Sequence, residues 1–195
     1  MTTRYRVAGI NFAHMHMGDN LRFAFDHPDV DLVGICDDET ARMESAIEEF
    51  GLGPDQVFTG WERCLAEARP DLVILCPPTG EHAVWVEHVA PSGCHVMVEK
   101  PFAANLPDAD RMVVAMEAGG GRLAINWPLA WYPPHVTAKR LIDEGASGEH
   151  VGVSYYAGNR GPLDHAEADA KSAVKGKAGD AGGARALEKK RQTHS

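Results

Sequence analysis

No run in this 195-residue chain approaches the ~18 consecutive apolar residues that would cross a membrane. The N-terminus carries no apolar segment of the signal-peptide kind, so the expected compartment is the cytoplasm. Positive charge is scarce as well: Lys and Arg number 19 against 28 Asp and Glu, a net charge of -9. That sign disfavours nucleic acid or an anionic membrane as a partner. Cysteine is sparse and never paired as CxxC. Cys36, Cys64, Cys76 and Cys94 each stand in apolar surroundings and are expected as buried free thiols rather than zinc ligands or disulfides. A glycine-rich GxGxxG loop is missing too.

What remains is ordinary globular material, 44% hydrophobic and 24% charged, with apolar periods that switch repeatedly between strand and helix. Strands are expected at Arg4 to Ile10, Asp31 to Cys36, Val57 to Phe58, Asp71 to Cys76, Cys94 to Val98 and Arg122 to Asn126. Between them the spacing predicts helices over His16 to His27, from Asp38 to a stop at Gly51, over Trp61 to Glu67, over Gly80 to Pro91 and over Pro107 to Ala118. Strands alternating with such helices call for a parallel sheet. The expected class is therefore α/β, a doubly wound parallel sheet over residues 1–125, followed by an incomplete α+β second domain over 126–163. The second domain is expected to begin with a helix over Pro134 to Glu144 and a strand over His150 to Ala157. From Asp164 onward seven basic residues face five acidic, and the only apolar side chains larger than alanine are Val174 and Leu187. A segment of that composition buries too little surface to offset its chain entropy, so 164–195 is expected to be disordered.

In a doubly wound fold a dinucleotide lays its pyrophosphate at the N-terminus of the helix after the first strand. That loop here begins at Gly9 and runs Asn11-Phe12-Ala13-His14-Met15-His16. Asn11 tolerates left-handed backbone and Ala13 is nearly as small as glycine, so Gly9, Asn11, Phe12, Ala13 and His14 are the candidate phosphate contacts. Asp37 follows the second strand about 20 residues past the loop, where a carboxylate binds both adenosine ribose hydroxyls and repels a 2′-phosphate. NAD is thereby favoured over NADP. The alternative is that Asp37 or Asp38 merely caps the following helix; cofactor contact is the favoured role for Asp37, capping for Asp38. Cys76 and Pro77 leave the fourth strand at the same sheet edge and lead to His82, which is either a helix-start residue or a cofactor-side group. His14, His16 and Asp19 present no third ligand at metal spacing, and no metal site is expected.

The fifth strand ends in Glu99-Lys100-Pro101, an acid, an amine and a rigid turn where open α/β sheets do chemistry. Lys100 is the candidate catalytic residue, able to help move a proton. Taken in order, the Gly9 loop, Gly34-Ile35-Cys36-Asp37, the Pro77-to-His82 loop, Glu99-Lys100-Pro101 and the Asn126-to-Pro134 crossing resemble the Gfo/Idh/MocA family, relatives of glucose-fructose oxidoreductase and inositol dehydrogenase. The resemblance implies a two-domain NAD(P)-dependent oxidoreductase acting on a hydroxyl carbon of a sugar, polyol or related small molecule. It places Lys100 against the nicotinamide ribose and the reacting hydroxyl, with Glu99 and Pro101 positioning it and the Lys100-Pro101 bond as a candidate cis peptide. The family continues after a glycine pair into a helix with an aspartate and a histidine. Here Gly182-Gly183-Ala184 runs instead into Arg185-Ala186-Leu187-Glu188-Lys189. A truncation or frame change near Ala184 is the expected cause, and a catalytically impaired nucleotide-binding or regulatory remnant is the alternative function. An unpaired sheet edge would also favour a homo-oligomer.

Overall fold

The computed structural model describes residues 4–146, 148 and 149; the expected strand over His150 to Ala157 and the tail from Asp164 lie outside the described residues. Six parallel strands form one sheet: β1 (Tyr5–Ile10), β2 (Val30–Cys36), β3 (Val57–Phe58), β4 (Leu72–Leu75), β5 (His95–Glu99) and β6 (Leu123–Asn126). Their spatial order is β3-β2-β1-β4-β5-β6. The chain winds outward from β1 in one direction and from β4 in the other, so the crevice above the β1 and β4 ends is the topological switch point, where such sheets bind ligands.

Successive strand side chains point to opposite faces, and here both faces are buried. On one face Ala8, Ile10, Val73, Leu75, Val96 and Val98 pack with Cys64 and Ala68 of α3 (Trp61–Ala68), Val86 and Val89 of α4 (His82–Val89), and Met112 and Met116 of α5 (Leu106–Gly119). On the other, Val7, Leu32, Ile35 and Ile74 meet Met17 and Leu21 of α1 (His16–Phe25) and Ala46 and Phe50 of α2 (Glu44–Phe50). The four cysteines are free and buried, as expected. Capping fixes α5 locally: the Asn105 side chain accepts from the Asp108 amide at 2.9 Å, and Pro107 lies in the first turn.

Two helices that the sequence reading runs unbroken are interrupted by 3₁₀ turns. The helix expected from Asp38 opens as a 3₁₀ turn over Thr40–Arg42 and becomes α-helical at Glu44, because the Asp37 carboxylate takes the Glu39 amide at 2.9 Å and Arg42 reaches back to Glu39 at 2.7 Å. It ends at Gly51, whose φ of 62° is left-handed. The helix expected over Gly80 to Pro91 is likewise split, with 3₁₀ turns at Thr79–Glu81 and Ala90–Ser92 flanking α4. Pro91 has no N–H to give a continuing helix.

The edge strand β6 pairs with β5 in a register that sets Asn126 opposite Glu99. Beyond it a 3₁₀ turn over Pro128–Trp131 leads into α6 (Pro133–Asp143), which buries none of its residues. Trp131 is 77% exposed, and Trp127, Leu129, Tyr132 and Val136 are exposed beside it. Among the described residues no helix is long and apolar enough to cross a membrane.

Candidate active site

Gly9, the last residue but one of β1, lies against α1, and a Cβ there would meet Leu21 Cδ2 at 2.9 Å and Met17 Sδ at 3.0 Å. Its role is close strand–helix packing. Asn11 takes the left-handed backbone anticipated for it, with φ of 69°, and its Oδ1 accepts from the Ala13 amide at 3.0 Å. The rest of the loop is bonded within the protein as well. The Phe12 amide donates to Asp37 Oδ2 at 2.6 Å, the His14 amide to the Cys76 carbonyl at 3.1 Å and the His16 amide to His14 Nδ1 at 3.2 Å. The last two bonds tie the first-strand loop to itself and, across the switch point, to the end of β4. Asn11→Ala is expected to cost about 1–2 kcal/mol of stability, since alanine tolerates the left-handed region poorly; urea unfolding measures it, and an unchanged midpoint would contradict the role given to this backbone.

Asp37 lies at the carboxyl end of β2 with only 1% of its side chain exposed, whereas the Asp38 side chain is 86% exposed. Burial pushes the Asp37 carboxyl above the usual range, opposed by the amides of Phe12 and Glu39 and by Arg42 at 3.4 Å. Arg42 is itself shared among Asp37, Asp38 and Glu39. In this geometry Asp37 organises the turn that follows through the Glu39 amide and holds the first-strand loop through the Phe12 amide.

On the far side of the switch point, His82 is buried with Nδ1 3.0 Å from the Phe102 carbonyl and Nε2 3.2 Å from that of Pro77. The ring therefore pins the loop after β4 to the loop after β5. The Lys100-Pro101 bond is cis, and Lys100 is half-buried at the end of β5.

Glu99 is the centre of the polar architecture. Its carboxylate was expected to position Lys100, but its bonds run elsewhere. Oε1 meets His16 Nδ1 at 3.2 Å, and Oε2 accepts from Asn126 Nδ2 at 2.9 Å and from Asn20 Nδ2 at 3.4 Å. Asn126 also donates to Asn20 Oδ1 at 2.9 Å, and Asn20 reaches Cys76 Sγ at 3.6 Å. Burial raises the Glu99 carboxyl, but the bonds from Asn126, His16 and Asn20 outweigh it and hold the group below the ordinary glutamate range. The Cys76 thiol is pushed up to about 12 by burial and by the neighbouring Glu99 charge. Asn20 went unnoticed in the sequence, although His16 and Asn20 are four apart and so share one face of α1. Asn126 was singled out only as part of the crossing, and its partner depends on sheet register.

A cavity of 340 Å³ opens beside this network, lined by His16, Asp19, Asn20, Phe23, Asn126, Pro128 and Trp131. Amides, an imidazole and a carboxylate face aromatic rings across it, a lining that suits a small polar ligand with apolar faces. His14, His16 and Asp19 do not gather around a common point: among the described residues no group of three or more His, Cys, Asp or Glu could hold a metal ion.

A 3-2-1-4-5-6 parallel sheet with a carboxylate after β2 and a polar cluster after β5 defines a Rossmann nucleotide-binding domain. Residues 3–127 match the family model GFO_IDH_MocA, described as "Oxidoreductase family, NAD-binding Rossmann fold", and the chain belongs to that family. It is 29% identical over 118 residues to D-apiose dehydrogenase of Paraburkholderia graminis, covering 60% of this chain and 31% of the relative. With D-glucoside 3-dehydrogenase of Escherichia coli it shares 31% over 121 residues, 62% of this chain and 34% of that protein. The chain thus spans about a third of the length of these curated relatives. Among solved structures it resembles the WlbA dehydrogenase from Bordetella pertussis in complex with NADH and UDP-GlcNAcA, with a TM-score of 0.65 and 26% identity over 75% of this chain and 42% of that one.

Proposed function

We propose that this chain binds NAD and serves an oxidoreductase that moves a hydride between the nicotinamide and a hydroxyl carbon of a sugar, polyol or related small molecule. The observation that carries the reading is the convergence of the Asp37 carboxylate, the Phe12-to-His14 loop and the Glu99-Lys100 end of β5 on one sheet edge around the switch point. The names of the relatives, which are sugar dehydrogenases, favour the same substrate class.

The residues present fit the cofactor in kind. Asp37 supplies the carboxylate for adenosine ribose hydroxyls, and a charge of that sign favours NAD over NADP because it repels a 2′-phosphate. The amides of Phe12 and Ala13 are held by the side chains of Asp37 and Asn11, acceptors that a pyrophosphate would replace. Gly9, His14, Cys76, Pro77 and His82 are the remaining residues we assign to the cofactor side of the switch point. When bound, the nicotinamide supplies the hydride acceptor. Lys100 assists departure of the hydroxyl proton from the substrate oxygen, and Glu99 organises the surrounding side chains. The cytoplasm is the compartment we assign, and assembly through the exposed β6 and α6 region is the oligomer we expect.

Calorimetric titration of the full chain with NAD and NADP tests the reading. Saturable NAD binding, tighter than NADP, is the expected result, and heat from neither would overturn it. In Asp37→Ala, checked for native circular dichroism, NAD affinity should fall about 10-fold. Unchanged affinity would mean that the carboxylate only organises its own turn.

A further inference from the structure

Hydroxylated substrates of such an oxidoreductase differ in charge: some bear an amine, some a carboxylate, many neither. We propose that the 340 Å³ cavity beside Glu99 is a monosaccharide subsite that prefers an amino sugar, with Asp19 reading its ammonium and the rings of Trp131 and Phe23 packing on its apolar face. This assignment rests on the oxidoreductase reading and narrows its substrate class.

Size and lining set the first limit. Ligand pockets run from about 300 to 1,000 Å³, so this cavity suits a single sugar ring better than a nucleotide-linked one. Trp131, on the turn after β6, and Phe23, on α1, wall it and are 77% and 75% exposed. An ammonium is drawn to the face of such rings, to tryptophan most of all. Asn126 spends its Nδ2 group on Glu99 and Asn20, which leaves its Oδ1 as an acceptor for a ligand hydroxyl or ammonium.

Charge sets the second. Asp19, in the first turn of α1, brings an exposed carboxylate to the cavity wall. Behind Asn20 and Asn126 lies the Glu99 carboxylate, 1% exposed and held below its usual range, hence ionised at neutral pH. Lys100, next in the chain, offsets one of these two negative charges, and among the described residues no Lys or Arg lines the cavity. The balance is negative, which attracts an ammonium and repels a sugar carboxylate or phosphate, and the walls of a cleft strengthen such a field. An ion pair to an exposed carboxylate shifts affinity only about 2–5-fold. The preference is graded rather than absolute, and Asp19 is its adjustable element.

The test needs no turnover. Full-length chain labelled with ¹⁵N is titrated at pH 7 and low salt with glucosamine, glucose and glucuronate, each with and without NAD. The Trp131 indole signal, assigned by its loss in Trp131→Phe, reports occupancy of the cavity. Saturable shifts are expected, with affinity falling about 3-fold at each step from glucosamine to glucose to glucuronate. The spread should narrow in Asp19→Asn, and in the wild-type chain at high salt. Glucuronate binding as tightly as glucosamine, a spread unchanged in Asp19→Asn, or no response to any of the three sugars overturns the assignment. Calorimetry with NAD judges the oxidoreductase reading separately. NAD binding without a sugar response sinks the subsite alone, whereas a chain that ignores NAD yet ranks the sugars as stated keeps the subsite and loses the oxidoreductase reading.

Discussion

Glu99→Ala should lower the free energy of unfolding by about 3–5 kcal/mol, the cost typical of removing one partner from a buried charged cluster. The physical reason is what it leaves behind. Asn20, Asn126 and His16 all donate to that carboxylate, and among the described residues no buried side-chain nitrogen or oxygen now lacks a partner. Truncation removes the acceptor those donors share, leaves the buried Asn20 amide without it and adds a cavity where the carboxyl stood. Urea unfolding followed by tryptophan fluorescence and circular dichroism measures the change, and a loss under 1 kcal/mol would show that the network is not a structural keystone. Glu99→Gln, which keeps the volume and one acceptor, should cost less than half as much.

The same carboxylate sets a pH dependence. Its folded-state value lies below the ordinary 4.5, so the ionised form is favoured in the native state. The stability it contributes is present above the unfolded value and drains away as pH falls through the folded one. Between pH 5 and 2 the wild-type chain should therefore lose more stability than Glu99→Gln does. Equal losses in the two proteins would deny the linkage.

Gly119→Ala is the second large effect, expected at about 3 kcal/mol and at the upper end of overpacking costs. A Cβ at Gly119 would come closer than 3.0 Å to the backbone carbonyl of Ala90, and backbone cannot swing aside as a side chain does. The same substitution at Gly18, inside α1, meets nothing within 4 Å. There alanine should stabilise by about 0.5–1 kcal/mol through helix propensity and a less flexible unfolded chain. Opposite signs for one chemical change at two helical glycines is the informative outcome, and equal effects would mean that propensity rather than contact governs Gly119.

Much of the fold was legible because parallel strands buried on both faces read as short apolar runs, and Val73, Ile74 and Leu75 or Val96, Met97 and Val98 cannot be hidden otherwise. Helix ends were less legible. The Thr40–Arg42 and Ala90–Ser92 turns reflect a carboxylate three residues upstream and a proline, local competitors that periodicity does not weigh. In the site, Asp37 and the Lys100-Pro101 turn followed from position along a strand. The partners of Glu99 did not, because Asn20 and Asn126 are 79 and 27 residues away from it and meet it only when β5 lies beside β6 and α1 crosses the sheet edge.

The sequence by itself determined the alternation of strands and helices, the parallel sheet, the loops that leave its carboxyl edge and the family resemblance, since each depends on residue type at short range. The tertiary structure alone decided that Glu99 serves His16, Asn20 and Asn126, that the loop amides are already bonded within the protein, and that His82 joins two loops. A hydrogen bond is fixed by distance and direction over a few ångströms, and for residues tens of positions apart only the folded backbone sets those.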